Sequence, residues 1–455
     1  MTQYSPSDLT ELGNIMNIVL QDHAVVFDED DFEHMFFASY HAQRYVCPIT
    51  HFIAARHTVV EVEDVSAGLM DKQGITWREG NLGRGAYRNF RNRVYSSPYY
   101  GGDSSTLHEN REELDYTDNE YYRFRYTDTA FHCSHRHPQL RNLVCATSKN
   151  DVYYLYNNTI QHWCPQLRTS KTILGHPLKL PHSSVPRRIT TMAAKDDLLL
   201  VGGEDGSYTF MNLQTCAAPV HDSFTNGKHT EVNGIEISYS RAGGPHAFIS
   251  TNDALVRCID MKPLSICATY PTGWFANYTS QSPDGHMIGI VGDDPDGLVM
   301  SVNSREKIAT LKGHQRYSFS VAWSPDSTML ATGSDDFSTC IYDTRMMENP
   351  VHTLSREVKD SIRSLRYSAC GRYLVMAEDS DFVHIVDTTS GYSKAQKIDL
   401  VGDISGISLT PDGDGLFVGV SNVSTAFDFS SVLEFEKLYR VPDKLIDEDH
   451  WASWL

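Results

Sequence analysis

The densest set of side chains able to do chemistry is His132-Cys133-Ser134-His135-Arg136-His137. On a strand, where successive side chains alternate, Cys133, His135 and His137 would share one face and form a partial zinc shell. No second cluster at ligand spacing accompanies them. Histidines in connecting segments are commonly satisfied by their neighbours, so no metal is assigned. The sequence has no Gly-x-Ser-x-Gly elbow, no Gly-x-x-x-x-Gly-Lys phosphate loop and no His-Glu-x-x-His helix. Gly413 and Gly415, which flank Asp414, need only turn geometry. No catalytic residue and no cofactor is expected, and the chain reads as a non-enzyme. The alternative is an enzyme or metal-binding protein built on His132, Cys133, His135 and His137, which metal analysis would decide.

A second set of residues suits recognition, and placing it requires the elements that carry it. The clearest element begins at Gly313-His314 and runs through Val321-Ala322-Trp323-Ser324-Pro325-Asp326. It continues through Leu330-Ala331-Thr332-Gly333-Ser334-Asp335-Asp336 and closes at Cys340-Ile341-Tyr342-Asp343. Its turn recurs as Ser282-Pro283-Asp284-Gly285, Ser324-Pro325-Asp326-Ser327, Ser368-Ala369-Cys370-Gly371 and Thr410-Pro411-Asp412-Gly413, at spacings of 42, 44 and 42 residues. In three of the four, Pro followed by Asp presets a tight hairpin turn. An apolar run follows each turn, and strand–turn–strand at this period is the arithmetic of propeller blades.

The Gly313-to-Asp343 unit resembles the WD repeat, with Tyr342 standing where Trp usually sits. In such a unit the His and the turn Asp hydrogen-bond with a strand Ser or Thr, sealing polar groups that blade packing would otherwise strand. His314, Ser334 and Asp336 are the clearest structural set here. Weaker copies upstream bring the count to seven, with units ending near Asn157, Asn212, Asp260, Asn303, Asp343, Asp387 and Phe435. The expected fold is therefore all-β, a seven-bladed WD-repeat β-propeller. Residues 121–126, which alternate Tyr122, Phe124 and Tyr126 with Arg123 and Arg125, are the candidate strand closing the ring on the last blade.

The chain divides into a leader (1–120), the propeller (121–437) and a tail (438–455). The leader does not repeat. Ser5-Pro6 begins a helical pattern of Leu9, Leu12, Met16 and Val19. Asp28 to Asp31 reads as a solvated turn. Gln73-Gly74-Ile75-Thr76-Trp77, followed by Arg84, Tyr87, Arg88 and Arg91, is similar to the leader of a little-characterised fungal and plant group of WD-repeat proteins. Residues 87–126 are read as an extended segment draped over the propeller, with Ser97-Pro98 as a possible phosphorylation site. The tail carries Trp451 and Trp454 beside an acidic stretch, fit to fold back on the propeller or to enter a partner.

In WD-type propellers, positions beside the start of each inner strand face the top surface. Aligned on the Gly-His unit, they are Arg188 and Thr190, Glu231 and Asn233, Phe275 and Asn277, Tyr317 and Phe319, Ser361 and Arg363, Asp403 and Ser405. Phe275, Tyr317, Phe319 and Arg363, with Trp274 next door, are the residue types that binding hot spots favour. The partner-binding set is thus Trp274, Phe275, Asn277, Tyr317, Phe319, Arg363, Arg188 and Glu231. Lys plus Arg number 39 against 58 Asp plus Glu, a formal charge of −19, which repels phosphate backbones and disfavours nucleic acid.

The nine cysteines include no Cys-x-x-Cys pair and read as free thiols in a reducing compartment. With no secretory signal and no membrane helix legible, a cytoplasmic or nuclear location is expected. The function expected is a non-catalytic scaffold or adaptor that binds proteins or peptides on the top face. A substrate receptor of a ubiquitin ligase is the narrower alternative.

Overall fold

The computed structural model describes residues 53–78, 83–95, 112–117, 120–134, 137, 140–175, 188–215, 217–224, 230–355, 360–421 and 430–438. The expected helix near Leu9, the Asp28 to Asp31 run, Ser97-Pro98 and the tail tryptophans lie outside the described residues. The chain forms two compact units. The larger spans residues 56–76, 101–422 and 429–455, and the smaller takes in residues 1–55, 77–100 and 423–428.

The larger unit is a seven-bladed propeller. Five blades are four-stranded antiparallel sheets in chain order. Their inner strands are Val144–Ser148, Ile189–Lys195, Val232–Tyr239, Ala276–Gln281 and Ser318–Trp323, which we take as blades 1 to 5. Blade 6 starts at Ile362–Tyr367. Blades 6 and 7 share one long strand, Lys394–Leu409: its first half pairs with Ser380–Asp387 and its second with Gly415–Ser421. Successive inner strands lie against one another around the ring.

The ring closes through residues far apart in sequence. Tyr122–Asp128 pairs antiparallel with Ser431–Lys437 and so becomes the outer strand of blade 7. The Tyr/Arg alternation is the reason: Tyr122, Phe124 and Tyr126 are buried while Arg123 and Arg125 are exposed. The closing strand thus sits where the sequence placed it. In blade 1 the unit end shifts. Asp151–Tyr156 is the second strand, and the third is Thr159–Cys164, so Cys164 rather than Asn157 ends the unit. The run 143–146 is apolar like the second strands of other blades, and that likeness misleads; here it forms the inner strand.

The recurring turns work as self-contained hydrogen-bond devices. Ser324 Oγ donates to Asp326 Oδ1 at 2.5 Å and accepts from the Met329 amide at 2.9 Å. The residue after the Asp adopts left-handed geometry, which glycine tolerates best: Gly285 and Gly413 have φ of 73° and 74°, and Ser327 has 60°. At the third copy Cys370 replaces the Asp, and its sulfur lies 3.5 Å from Ser368 Oγ.

Two leader pieces belong to this unit. Gln73, fully buried, donates its Nε2 to the Val401 carbonyl at 2.8 Å and accepts from the Val401 amide at 2.7 Å, imitating a neighbouring strand. Gly74, with φ 74°, leaves no room for a Cβ beside the His57 carbonyl. Val59–Glu61 pairs with the closing strand. Farther on, Glu112 and Asp115 run along blades 5 and 6: the Glu112 amide donates to the Thr353 carbonyl and the Asp115 amide to the Ser393 carbonyl.

In the smaller unit, Arg84–Tyr95 is an α-helix. This corrects the expectation of extended chain from residue 87. Arg84, Tyr87, Arg88, Arg91 and Tyr95 recur at helical spacing, and Pro98 is the first breaker. The ring of Tyr87 lies 5.4 Å from that of Trp77. No helix among the described residues is long and apolar enough to cross a membrane.

Candidate functional site: the rim around the inner strands

The paired positions at the start of each inner strand divide into two kinds. The second of each pair is structural. Thr190 Oγ1 donates to the Val232 carbonyl at 2.5 Å, Asn233 Nδ2 to Ala276 at 2.9 Å, and Asn277 Nδ2 to Ser318 at 3.1 Å. Each acceptor is the first residue of the next blade's inner strand, so these side chains staple one blade to the next.

In blade 5 the position is Phe319, which cannot donate, and a different joint replaces the staple. The Arg363 guanidinium of blade 6 lies 3.8 Å above the Phe319 ring. Both side chains are inside, Phe319 at 3% exposure and Arg363 at 6%. They do not stand on the surface as the sequence suggested, because the cation–π contact and the Asp335 and Asp379 carboxylates hold Arg363 down. Asn277 is likewise buried. Ser405 Oγ meets the Cys133 sulfur at 2.9 Å.

The first of each pair is nearer solvent in blades 2 to 5. Phe275 is 49% exposed and Tyr317 48%, on adjacent blades, with Trp274 half-buried beside them. Arg188 is exposed and lies 3.8 Å from Glu204. Glu231 is mostly enclosed, and His137 Nε2 stands 3.6 Å from its carboxylate. Ser361 and Asp403 are buried, and Ser361 Oγ donates to Asp335 at 2.6 Å.

The pairs did not reveal the second layer of this rim. Across five blades the residue after the second strand donates its amide to the carbonyl of the rim residue: Glu204 to Arg188, Asn252 to Glu231, Asp293 to Phe275, Asp335 to Tyr317, Asp379 to Ser361. Four of these five are acidic. The signal was present in the sequence, as an acid after each Gly-Gly, Val-Gly, Gly-Ser or Ala-Glu strand end. It meant little until the fold set the copies side by side. Burial, then Glu204, push the Glu231 carboxyl up to about 8, and burial raises Asp293. The rim therefore presents two aromatic rings among crowded carboxylates.

Around His314 the hydrogen bonds run differently from the expectation. His314 Nδ1 lies 3.1 Å from Asp336 and Nε2 2.8 Å from Thr332 Oγ1, while Ser338 Oγ is 3.2 Å from Nδ1. Ser334 bonds instead to the Arg316 and Tyr317 carbonyls and the Asp336 amide, holding the loop below Tyr317. Tyr342 Oη donates to the Lys312 carbonyl at 2.9 Å, the reach a ring in this position needs.

The histidine cluster is dispersed. His132 Nδ1 is 3.1 Å from Ser430 Oγ, and its ring stacks on Tyr156. Burial pushes the Cys133 thiol up to about 12, and its sulfur is taken up by Ser405 Oγ at 2.9 Å. His137 turns toward Glu231, and His135 lies outside the described residues. Among the described residues no three His, Cys, Asp or Glu side chains are placed to hold a metal ion.

Blades, inner-strand staples and the His314 set together define a seven-bladed β-propeller of the WD-repeat kind. The WD domain, G-beta repeat family matches residues 305–343, which contain the whole His314 set. The chain is similar to an uncharacterized protein of Schizosaccharomyces pombe, 24% identical over 318 residues, which are 63% of this chain and 85% of that protein. It is also similar to WD repeat-containing protein 1 of Bos taurus, 27% identical over 122 residues, 26% of this chain and 20% of that protein. These likenesses support a WD-repeat family, whose domains generally bind other proteins and are typically non-enzymatic.

Proposed function

We propose that this protein is a non-catalytic adaptor that docks a partner segment on the propeller rim. The observation that carries the reading is the pair Phe275 and Tyr317, half-exposed on adjacent blades in a rim of carboxylates. A ring left half in water contributes little to folding, whereas burying it against a partner stabilises the complex. With a formal charge of −19, and with Asp293 and Asp335 bonded through their amides to the Phe275 and Tyr317 carbonyls, the complementary partner is a segment carrying a basic side chain beside an apolar one. Trp274 stands next to Phe275 in the chain, and Arg188 and Glu231 extend the proposed face along the rim of blades 2 and 3. Within WD-repeat proteins, the Gln73-to-Trp77 signature would place the chain in the fungal and plant group with that leader.

The test is affinity purification of the intact protein beside a Phe275→Ala/Tyr317→Ala variant of equal thermal stability. Phe319 and Arg363 are left intact because replacing them would open the joint between blades 5 and 6. Specific partners that depart with the two rings support the docking face. Partners retained in full by the variant would refute it.

A further inference from the structure

The outer hairpin of blade 3 brings two cysteines together. Its third strand, Leu255–Asp260, carries Cys258, and its fourth, Ser265–Pro271, carries Cys267. Cys258 faces Ala268 and Ile259 faces Ile266, so Cys267 is the extra residue of a bulge between them. Its Sγ donates to the Cys258 carbonyl at 3.3 Å, which sets the Cys267 thiol against the residue that carries Cys258. Opposed residues on antiparallel strands stand about 4.5–5.5 Å apart at Cα, a span a disulfide bridges, and the bulge sets two residues, Cys267 and Ala268, against Cys258.

Access is asymmetric: Cys267 is exposed and Cys258 buried. Arg305 Nη2 donates to the Cys267 carbonyl at 3.5 Å, placing a positive charge beside the pair. The other cysteines with described partners face different groups: Cys133 meets Ser405, Cys145 the Met192 carbonyl, Cys340 His314 and Cys370 Ser368.

We propose that Cys258 and Cys267 form a reversible intrachain disulfide, making the outer edge of blade 3 a peroxide-sensitive modification site. The exposed Cys267 thiolate attacks one peroxide oxygen and the O–O bond breaks. The displaced hydroxide takes up a proton as water, and Cys267 becomes a sulfenic acid. Burial, then the Cys267 sulfur, hold the Cys258 thiol well above its ordinary value; oxidation of Cys267 removes the second of these influences. Cys258 then attacks the Cys267 sulfur. The S–S bond forms, the S–O bond breaks, and hydroxide leaves as water with the Cys258 proton. Two thiols give two electrons to one peroxide, yielding one disulfide and two waters. Exchange with a thiol reductant reverses the step.

The test uses the full chain, reduced, exposed to hydrogen peroxide, alkylated in denaturant and cut by a protease that cleaves before Asp. Cleavage before Asp253, Asp260 and Asp284 separates Cys258, in residues 253–259, from Cys267, in residues 260–283. The expected result is these two peptides joined and released by dithiothreitol, with two fewer alkylated thiols than the nine of the reduced chain. Cys267→Ser, at an exposed position, abolishes the link without unfolding the protein. Cys258→Ala leaves Cys267 trapped as a sulfenic acid. The proposal is overturned if Cys267 advances to sulfinic acid while Cys258 stays alkylatable, or if the link joins Cys267 of two chains. It is equally overturned if neither thiol is consumed at peroxide levels that oxidise free cysteine.

Discussion

Asp379 takes up two guanidiniums where water does not reach. Its Oδ1 lies 2.8 Å from Arg141 Nη2 and 3.5 Å from Arg363 Nε, with all three side chains buried. In an Asp379→Ala variant, Arg363 keeps Asp335 at 3.3 Å, but Arg141 retains only the neutral carbonyls of His137 and Leu140. Stripping one partner from a buried ion pair costs about 3–5 kcal/mol. Asp379→Ala is expected near the upper figure because it strands Arg141 outright and weakens the hold on Arg363. Arg141→Met is expected near the lower figure because Asp379 still faces Arg363. The double variant should cost less than the two singles together, with a coupling of about 1–3 kcal/mol. Urea unfolding at neutral pH, followed by tryptophan fluorescence and far-ultraviolet circular dichroism, measures all three. If both single variants cost under about 1 kcal/mol, the value typical of exposed pairs, the account of a dry ion triad is refuted.

His314 gives a pH signature. Burial alone would lower its pKa, but Cys340 and Asp336 outweigh it and push it up to about 10 from 6.5. A histidine raised in the folded state lends stability that is complete below about pH 6.5 and fades as pH climbs through about 10. The wild-type melting temperature should therefore fall more across that window than that of His314→Gln; parallel profiles would sink the assignment. His384 has the opposite sign. Burial, then Lys397, lower it to about 3 even with the Glu378 carboxyl 2.7 Å from its Nε2, so its contribution holds above 6.5 and is lost as pH falls toward 3. His384→Gln should flatten the acid limb of the same measurement. Gln73→Ala leaves the buried Val401 amide and carbonyl unpaired, at about 1–3 kcal/mol for each group. Hydrogen exchange should show the Val401 amide losing protection, and an unchanged rate would mean that Gln73 does not hold that edge.

What the sequence settled by itself is what depends on short-range pattern. The Ser-Pro-Asp-Gly turns carry their own hydrogen bonds and a left-handed residue, so their recurrence marked the hairpins of blades 4, 5 and 7 and, with Cys370 in place of Asp, blade 6. Alternation of buried Tyr and Phe with exposed Arg identified the closing strand because a strand buried on one face must alternate. In blade 1 no such turn intervenes, and the unit slipped by one strand.

Only the tertiary structure decided which rim residues meet solvent. Phe275 and Phe319 are the same residue type at neighbouring positions of the repeat alignment, yet one is half-exposed and the other lies under Arg363. That difference is set by Asp335 and Asp379, which follow the second strands of blades 5 and 6 and fix where the guanidinium lies. The same holds for the carboxylates beside the rings and for Cys258 against Cys267. Local pattern fixes which face of a strand a residue occupies. Its neighbour across a blade junction or a bulge, and so its charge state and exposure, is set by how the strands come to pack against one another.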